Sequence, residues 1–416
     1  MDGQSCLIDG FGPMPVVRPD TVSALGAVVR EALAEETALY PVGGRTMLHL
    51  GMPPTRKGRA VDMRGLARVI DFPARDMTIT VEAGITMAQL QDIVAKENLR
   101  LPLDVPRGEQ ATLGGTLAVN TSGSRRYGFG TLRDYVIGIS AVNDAGNEFK
   151  AGGRVVKNVA GYDLCKLLVG SLGTLAIITQ VTLKLRPRLE EQALVTVTCA
   201  PSALETTLEQ LHTSRTRPTC LDLLNRPAAQ EVFGQAQLPV PDGAWALIIG
   251  YEGNADAVEW QIQQLVREIG SGGSLEARVG FTAAPLWQAL AEWNLLPGSN
   301  LTFKATMLPS ALARFCQADG NLTEKYGLRA HAGNGIVHGH VGAELSLEQA
   351  SSFLFAWREE ARRGKGGVIV EQCPPAWKNT LSVWGPPPTS AWLMHEIKNK
   401  FDPRRVFNPG RFVDGI

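Results

Sequence analysis

Three histidines, His331, His338 and His340, fall within ten residues of one another around Gly333 and Gly335. Neutral imidazole is both a proton acceptor near neutral pH and a common ligand of first-row metals. Two histidines bracketing a glycine turn can converge on one metal or one substrate oxygen, whereas isolated histidines usually serve structure. A different chemistry is written into the first half. The stretch 101–128 carries Gly114, Gly115 and Gly123 among Thr112, Thr116, Asn120, Thr121, Ser122 and Ser124, with almost no bulk. Pro41-Val-Gly-Gly-Arg-Thr-Met47 precedes it and Gly170-Ser-Leu-Gly-Thr-Leu-Ala176 follows. Glycine lets backbone N–H groups approach an anion closely, having no Cβ to hold it off. Any one such loop alone reads as a turn. Three in one domain point to a large ligand with a diphosphate, held along its length. Arg45, Arg125 and Arg126 either add charge to that cradle or are solvated loop arginines. None of the loops has the dinucleotide-fingerprint or P-loop spacing.

The elements that must position these residues follow from periodicity. Asp20 is expected to cap a helix through Val22, Leu25, Val29 and Leu33, and Thr86 one through Leu90, Ile93 and Val94. Strands are expected at 39–42, 78–81 and 175–185, in a βαβ rhythm with short connections, and a helix at 163–168 after Asn158. In the second half, strands at 194–198, 245–251, 301–307 and 368–371 alternate with helices at 203–212, 255–269, from about 310, and 346–362. The histidine segment 328–340 reads as a hairpin. This is the pattern of an antiparallel sheet with helices on one face. A helix at 391–400 precedes Phe407-Asn-Pro-Gly410. No repeat of solenoid period is present.

Composition bounds the rest. The 416 residues allow two or three domains with a full core. Forty-one basic and forty-one acidic residues cancel, so nothing points to nucleic acid or an anionic membrane surface. Six cysteines (Cys6, Cys165, Cys199, Cys220, Cys316, Cys373) are scattered without a CxxC. They read as reduced thiols of a cytoplasmic protein and do not suit an iron–sulfur cluster. The first residues, Met1-Asp-Gly-Gln-Ser5, lack a basic region and an apolar core, so no signal peptide is expected. All eight tryptophans lie between Trp245 and Trp392, and five of six histidines from His212 onward, which marks two halves with different tasks.

Taken together and in order, the loop motifs resemble a known family. Pro41-Val-Gly-Gly-Arg-Thr46, Val81-Glu-Ala-Gly84, Ala111-Thr-Leu-Gly-Gly115 through Asn120-Thr-Ser-Gly123, Gly153–Leu164 and Gly170-Ser-Leu-Gly-Thr-Leu175 are similar to the FAD-binding domain of the vanillyl-alcohol oxidase/p-cresol methylhydroxylase (PCMH) superfamily. Phe401-Asp-Pro-Arg-Arg-Val-Phe-Asn-Pro-Gly410 resembles the end of its FAD-linked 2-hydroxy-acid oxidase branch. Within that branch the chain looks most like the FAD-binding E subunits of bacterial glycolate oxidase. The resemblance is specific over 40–190 and 400–412 and weak over about 190–325. It implies an α+β fold: a two-subdomain PCMH-type FAD-binding domain over 1–188, an α+β cap with an antiparallel sheet over 189–385, and a segment 386–416 returning to the FAD domain. It implies non-covalent FAD, because Arg45-Thr46 stands where relatives that bind flavin covalently carry a histidine, and His49 lies past that place. The implied FAD contacts are Pro41, Val42, Gly43, Gly44, Arg45, Thr46, Met47, Pro106, Thr112, Gly114, Gly115, Asn120, Ser122, Gly123, Arg125, Tyr127, Gly173, Ile178 and Asn408.

In relatives with 2-hydroxy-acid dehydrogenase activity, a similar His-x-Gly-x-Gly-x-x-His and a later Glu hold a divalent metal. The resemblance carries that role to His331, His338 and Glu371. The match breaks at the next position, where active relatives place a histidine base and this chain has Gln372, which cannot accept a proton. His338 and His340 are the remaining candidate catalytic imidazoles. Lys304 is the nearest candidate for the substrate-carboxylate cation. The resemblance implies glycolate oxidation to glyoxylate with a homologous FAD subunit and an iron–sulfur subunit as partners, in a cytoplasmic complex whose membrane contact runs through those partners. Two alternatives stay open: a self-sufficient FAD-dependent 2-hydroxy-acid dehydrogenase, and a scaffold subunit with structural FAD.

Overall fold

A computed structural model describes residues 5–153, 162–270, 274–295, 298–318, 326–342 and 344–416. The 154–161 part of the family-like Gly153–Leu164 motif, Asn158 included, lies outside the described residues. The chain divides into two compact units, Met1–Ser122 with Thr131–Arg188 and Pro386–Ile416, and Gly123–Gly130 with Leu189–Gly385.

The first unit contains two principal sheets. In the four-stranded sheet the order is Ser5–Ile8, Phe11–Val17, Gly58–Asp62, Ala38–Val42. Its last three strands are parallel, and helix Val22–Ala34 makes the crossover between two of them. The cap of this helix is Thr21, one residue after the expected Asp20: the Thr21 hydroxyl accepts from the Ala24 N–H at 3.1 Å. The βαβ expectation ends there. The five-stranded sheet, Val69–Asp71, Thr78–Glu82, Ile177–Lys184, Val136–Val142, Glu148–Gly152, is antiparallel throughout. Helix Met87–Ala95 follows Thr78–Glu82 with a Thr86/Gln89 capping box, as expected, but it joins no parallel pair. The C-terminal segment is tied in by backbone bonds from Leu39 N–H to the Val406 carbonyl and from Asn408 N–H to the Leu39 carbonyl. Beneath it the Lys398 ammonium, fully buried, donates to Asp402 and to the Thr174 and Phe407 carbonyls.

The second unit is built on one eight-stranded antiparallel sheet. Its order is Leu275–Val279, Glu191–Cys199, Trp245–Gly253, Cys220–Asn225, Tyr326–His331, Ile336–Gly342, Ser299–Thr306, Gly367–Gln372. Helices cover both faces, where the sequence suggested one. Trp357 of helix Leu347–Arg363 packs on Phe303 and Tyr326. The opposite face, reached by alternation along each strand, carries Leu224 and Ile248 in a core with helices Arg226–Gln235 and Ala284–Glu292. The helix expected from about 310 is short, Leu312–Gln317, entered through a 3-10 turn at Pro309–Ala311. Among the described residues no helix is long and apolar enough to cross a membrane.

Candidate functional site

The first unit holds an open groove of about 450 Å³. Pro41, Val42, Gly43, Thr112, Gly114, Gly115, Gly173, Ile178 and Asn408, all expected from the sequence, line it together with Met63, Ala83, Ala118, Leu172, Ala176 and Ile177, which were not. The loops around it turn through left-handed backbone at Arg45, Asn120, Leu172, Gly173 and Asn408, conformations that bring backbone close to a bound group at a local cost. Asn408 is pinned by its side-chain amide donating to the Leu172 carbonyl at 2.6 Å.

The glycine loops divide the work differently from the sequence reading. Thr112 caps a short helix, Leu113–Val119, inside the long glycine run. The N–H groups of Leu113, Gly114, Gly115 and Thr116 are all taken, by Ile85, Ala83 and Thr112. That turn therefore offers wall and shape, not donors. The Gly44, Arg45 and Thr46 N–H groups find no acceptor among the described residues, which leaves them for an anion. Gly43 and Gly44 are also required by packing: a Cβ would meet Thr112 Oγ1 at 2.0 Å or the Gln110 carbonyl at 1.7 Å. Buried Arg45 Nε and Asn120 Oδ1 have no partner among the described residues, a combination that fits a bound group with phosphate and polar edges.

Among the other expected contacts, Pro106 is buried in a turn, and Gly123, Arg125 and Tyr127 belong to the second unit. The Arg125 guanidinium donates to Glu252 at 2.7 Å and to Gln192, and stacks over Trp287 at 3.8 Å. Its charge is paired with Glu252 there. Tyr127 packs against Gly333, where a Cβ would lie 2.1 Å from its ring.

In the second unit the sheet gathers the acid–base groups on one face. Residues directly paired across antiparallel strands share a face. Asp222 pairs with His331, Arg329 and Lys304 with His338, and Thr302 with His340. The expected hairpin is Tyr326–His331 and Ile336–Gly342, turned through left-handed Gly335. Where Gly367–Gln372 pairs with Ser299–Thr306, the register slips so that Glu371 is an extra, bulged residue. The bulge lets its carboxylate meet His338 Nδ1 at 3.1 Å. Burial opposes ionisation of Glu371, but His338, Lys304 and His340 outweigh it and lower its pKa to about 2.

His331 belongs to a second, fully buried group. Its Nδ1 lies 2.7 Å from Asp222 Oδ1. Asp222 Oδ2 accepts from the Ser124 hydroxyl at 2.7 Å and from Arg329 at 3.0 and 2.8 Å. Burial pushes the Asp222 carboxyl up, yet His331 and Arg329 hold it below the ordinary carboxylate range. Burial lowers His331 to about 4 against the pull of Asp222, so the ring is neutral at physiological pH and donates Nδ1–H to an ionised carboxylate. The His331 and His338 rings meet edge to face, 5.6 Å between centroids. His340 is stacked on Trp293 at 3.8 Å, and Trp293 donates to Glu231 at 2.7 Å; burial lowers His340 also to about 4.

Of the expected metal set, His338 Nδ1 meets Glu371, His331 Nδ1 meets Asp222, and Lys304 bears on Glu371. Among the described residues no three His, Cys, Asp or Glu side chains converge as a metal cage. Asp222, Arg329 and Trp293 escaped the sequence reading, which named Ser124 only among the small residues of the glycine run. The alternation of Cys220-Leu-Asp-Leu-Leu-Asn225 was the one available signal, a charged residue on an otherwise apolar strand.

Comparison with known proteins separates the two units in the same way. Residues 13–152 match the FAD binding domain model, and 186–370 match that of the FAD linked oxidases, C-terminal domain. The chain carries an FAD binding domain followed by the C-terminal domain of FAD linked oxidases. Its cofactor is FAD and it is a flavin-dependent oxidoreductase. The glycolate oxidase subunit GlcD of Bacillus subtilis (strain 168) is 26% identical over 96% of this chain and 88% of its own length. The D-lactate dehydrogenase of Archaeoglobus fulgidus is 27% identical over 96% and 91%. The glycolate oxidase subunit GlcE of Escherichia coli (strain K12) reaches 35%, but over 41% of this chain and 48% of its own. The likeness to glycolate oxidase flavin subunits thus holds, while the full-length similarity is to D-type subunits and D-lactate dehydrogenases, not clearly to the E subunit. A crystal structure of p-cresol methylhydroxylase with substrate bound shares the fold, with a TM-score of 0.72 at 16% identity over 95% of this chain and 88% of that one.

Proposed function

We propose that this flavoprotein oxidises a small 2-hydroxy acid, glycolate or D-lactate, to the 2-oxo acid, as the flavin subunit of a complex. The observation that carries the reading is the cluster of Lys304, His331, His338 and Glu371 on one sheet face, in a chain that aligns nearly end to end with 2-hydroxy-acid enzymes. Bound flavin supplies the two-electron acceptor. The Gly44–Thr46 N–H groups and Arg45 would hold its diphosphate, and the Gly173, Ile178 and Asn408 wall its ring system. On the protein's side, the reaction needs a cation for the substrate carboxylate and an acceptor for the hydroxyl proton. Lys304 suits the first role and an imidazole of this cluster the second. The six cysteines are buried, form no disulfide and have no CxxC spacing, which does not suit an iron–sulfur cluster in this chain, and a partner's redox centre would take electrons from the flavin. An iron–sulfur subunit, beside a homologous FAD subunit, fits that role. The test is turnover: holoprotein with glycolate or D-lactate and an artificial acceptor dye should yield the 2-oxo acid. No product from either acid would contradict the reading.

A second reading has its own support. Gln372 replaces the family's histidine base, and the identity to GlcE over part of the chain is the highest of the three relatives. On that reading the chain is an E-type subunit that relays or anchors and does not turn over alone. Flavin that stays oxidised under anaerobic glycolate and D-lactate, in a chain still required by the assembled complex, would favour it.

A further inference from the structure

We infer that Lys398 is a positioning residue for the flavin: its buried ammonium ties together the two turns that wall the groove of the first unit. The inference rests on that groove being the FAD site. Leu172 and Gly173 belong to one turn and Asn408 to the other, 236 residues on from Leu172. All three line the groove in left-handed backbone. That conformation is strained for a leucine or an asparagine and persists only where the surroundings impose it.

The surroundings here converge on one side chain. The Lys398 ammonium has three protons and three acceptors: Asp402 Oδ2 at 2.6 Å, the Thr174 carbonyl at 2.7 Å and the Phe407 carbonyl at 3.1 Å. Thr174 follows Gly173, and the Phe407 carbonyl carbon is bonded to the Asn408 nitrogen. Asp402 completes the hold, its carboxylate accepting from the Val406 and Phe407 N–H groups, each at 2.8 Å. The turns also touch directly. The Asn408 amide donates to the Leu172 carbonyl, and a Cβ on Gly173 would lie 3.2 Å from Asn408 Nδ2.

Stability alone does not call for this arrangement. Lys398 and Asp402 are both 0% exposed, and an apolar pair of similar volume is often at least as stable as a buried ion pair. Among the described residues of helix Ala391–Phe401, Lys398 alone is buried, so the helix is anchored through a charge where an apolar side chain is the ordinary choice. What the ammonium adds is direction. Its three bonds fix one turn against the other, and so fix the shape of the wall that the flavin meets.

The test uses the full chain, stripped of FAD and titrated with it. Lys398→Met keeps the length of the side chain and removes the ammonium. The FAD dissociation constant should rise roughly 10–100-fold, the loss expected for charge-assisted bonds. The flavin that still binds should show a broader, solvent-like visible band. The change also strands the Asp402 carboxylate, so the unfolding midpoint of the FAD-free chain should fall. The double variant Lys398→Met, Asp402→Asn separates the two effects: with the stranded charge gone, the midpoint should recover while FAD affinity stays low. Affinity that returns with the midpoint would overturn the inference, because Lys398 would then be a structural anchor alone. Should neither variant fold, hydrogen exchange in the wild type decides. FAD loading should slow residues 171–174 and 404–408 together, and slowing of one turn without the other would overturn the inference. Gly44→Val is the control for the site. FAD lost from Gly44→Val but held at wild-type affinity by Lys398→Met overturns the inference alone. FAD held by both overturns the groove reading, and the inference with it.

Discussion

His331 Nδ1 and Asp222 Oδ1 stand 2.7 Å apart, both side chains buried, with Arg329 closing the other side of the carboxylate. Breaking such a buried charge group by removing one member leaves an uncompensated charge, at a cost of about 3–5 kcal/mol. Asp222→Ala should therefore lower the stability of the second unit by about that amount, read by urea unfolding. A loss below about 1 kcal/mol would mean that Arg329 finds another partner.

The same burial sets a pH dependence. His331 and His340 fall from the usual 6.5 to about 4 in the folded chain. Between those values the unfolded chain binds more protons than the folded one, so stability is lost as pH falls from about 6.5 toward 4. Each fully titrating group contributes roughly 1.4 kcal/mol per pH unit. Unfolding midpoints should drop steadily across this window, and less steeply in His340→Gln. A flat profile between pH 7 and 5 would show that these rings are not buried neutral.

Flavin should be dissociable. The loop at Pro41–Met47 offers Arg45 and Thr46 but no histidine. Acid precipitation should leave a yellow supernatant; colour that stays with the pellet would establish a covalent link.

Shape rather than charge should govern FAD retention. A valine at Gly44 would drive its Cβ into the Gln110 carbonyl, and Gly44→Val should abolish FAD binding. Gly115→Val should also weaken it, by filling the groove mouth, since Gly115 sits in a helix and needs no positive φ. Arg125→Ala should leave FAD bound and destabilise the second unit by about 1–3 kcal/mol, through Glu252 and Trp287. Visible spectra and unfolding curves of the three variants separate these outcomes. Flavin loss from Arg125→Ala alone would reverse the assignment.

Much of this was legible in the chain. The Thr86 capping box, the 255–269 helix and the histidine hairpin follow from local chemistry and period, and each has the expected type. What escaped depends on long-range pairing. Thr78–Glu82 looks like a strand, but nothing local says that its neighbours run antiparallel. Asp222 and Arg329 sit on apolar strands 107 residues apart and gain meaning only when the sheet sets them together. Arg125 reads as a cradle arginine or a solvated loop arginine, and nothing local announces its contacts with Glu252 and Trp287. The Glu371 contact rests on a register slip that no period reveals.

The central claim is that this flavoprotein takes hydride from a small 2-hydroxy acid. Mixing the FAD-loaded chain anaerobically with glycolate or D-lactate in a stopped-flow spectrometer tests it most directly. The account predicts that the visible flavin absorbance bleaches in a single turnover with one of the two acids, and that 2-oxo acid appears in equal amount. Flavin that remains oxidised with both would contradict it.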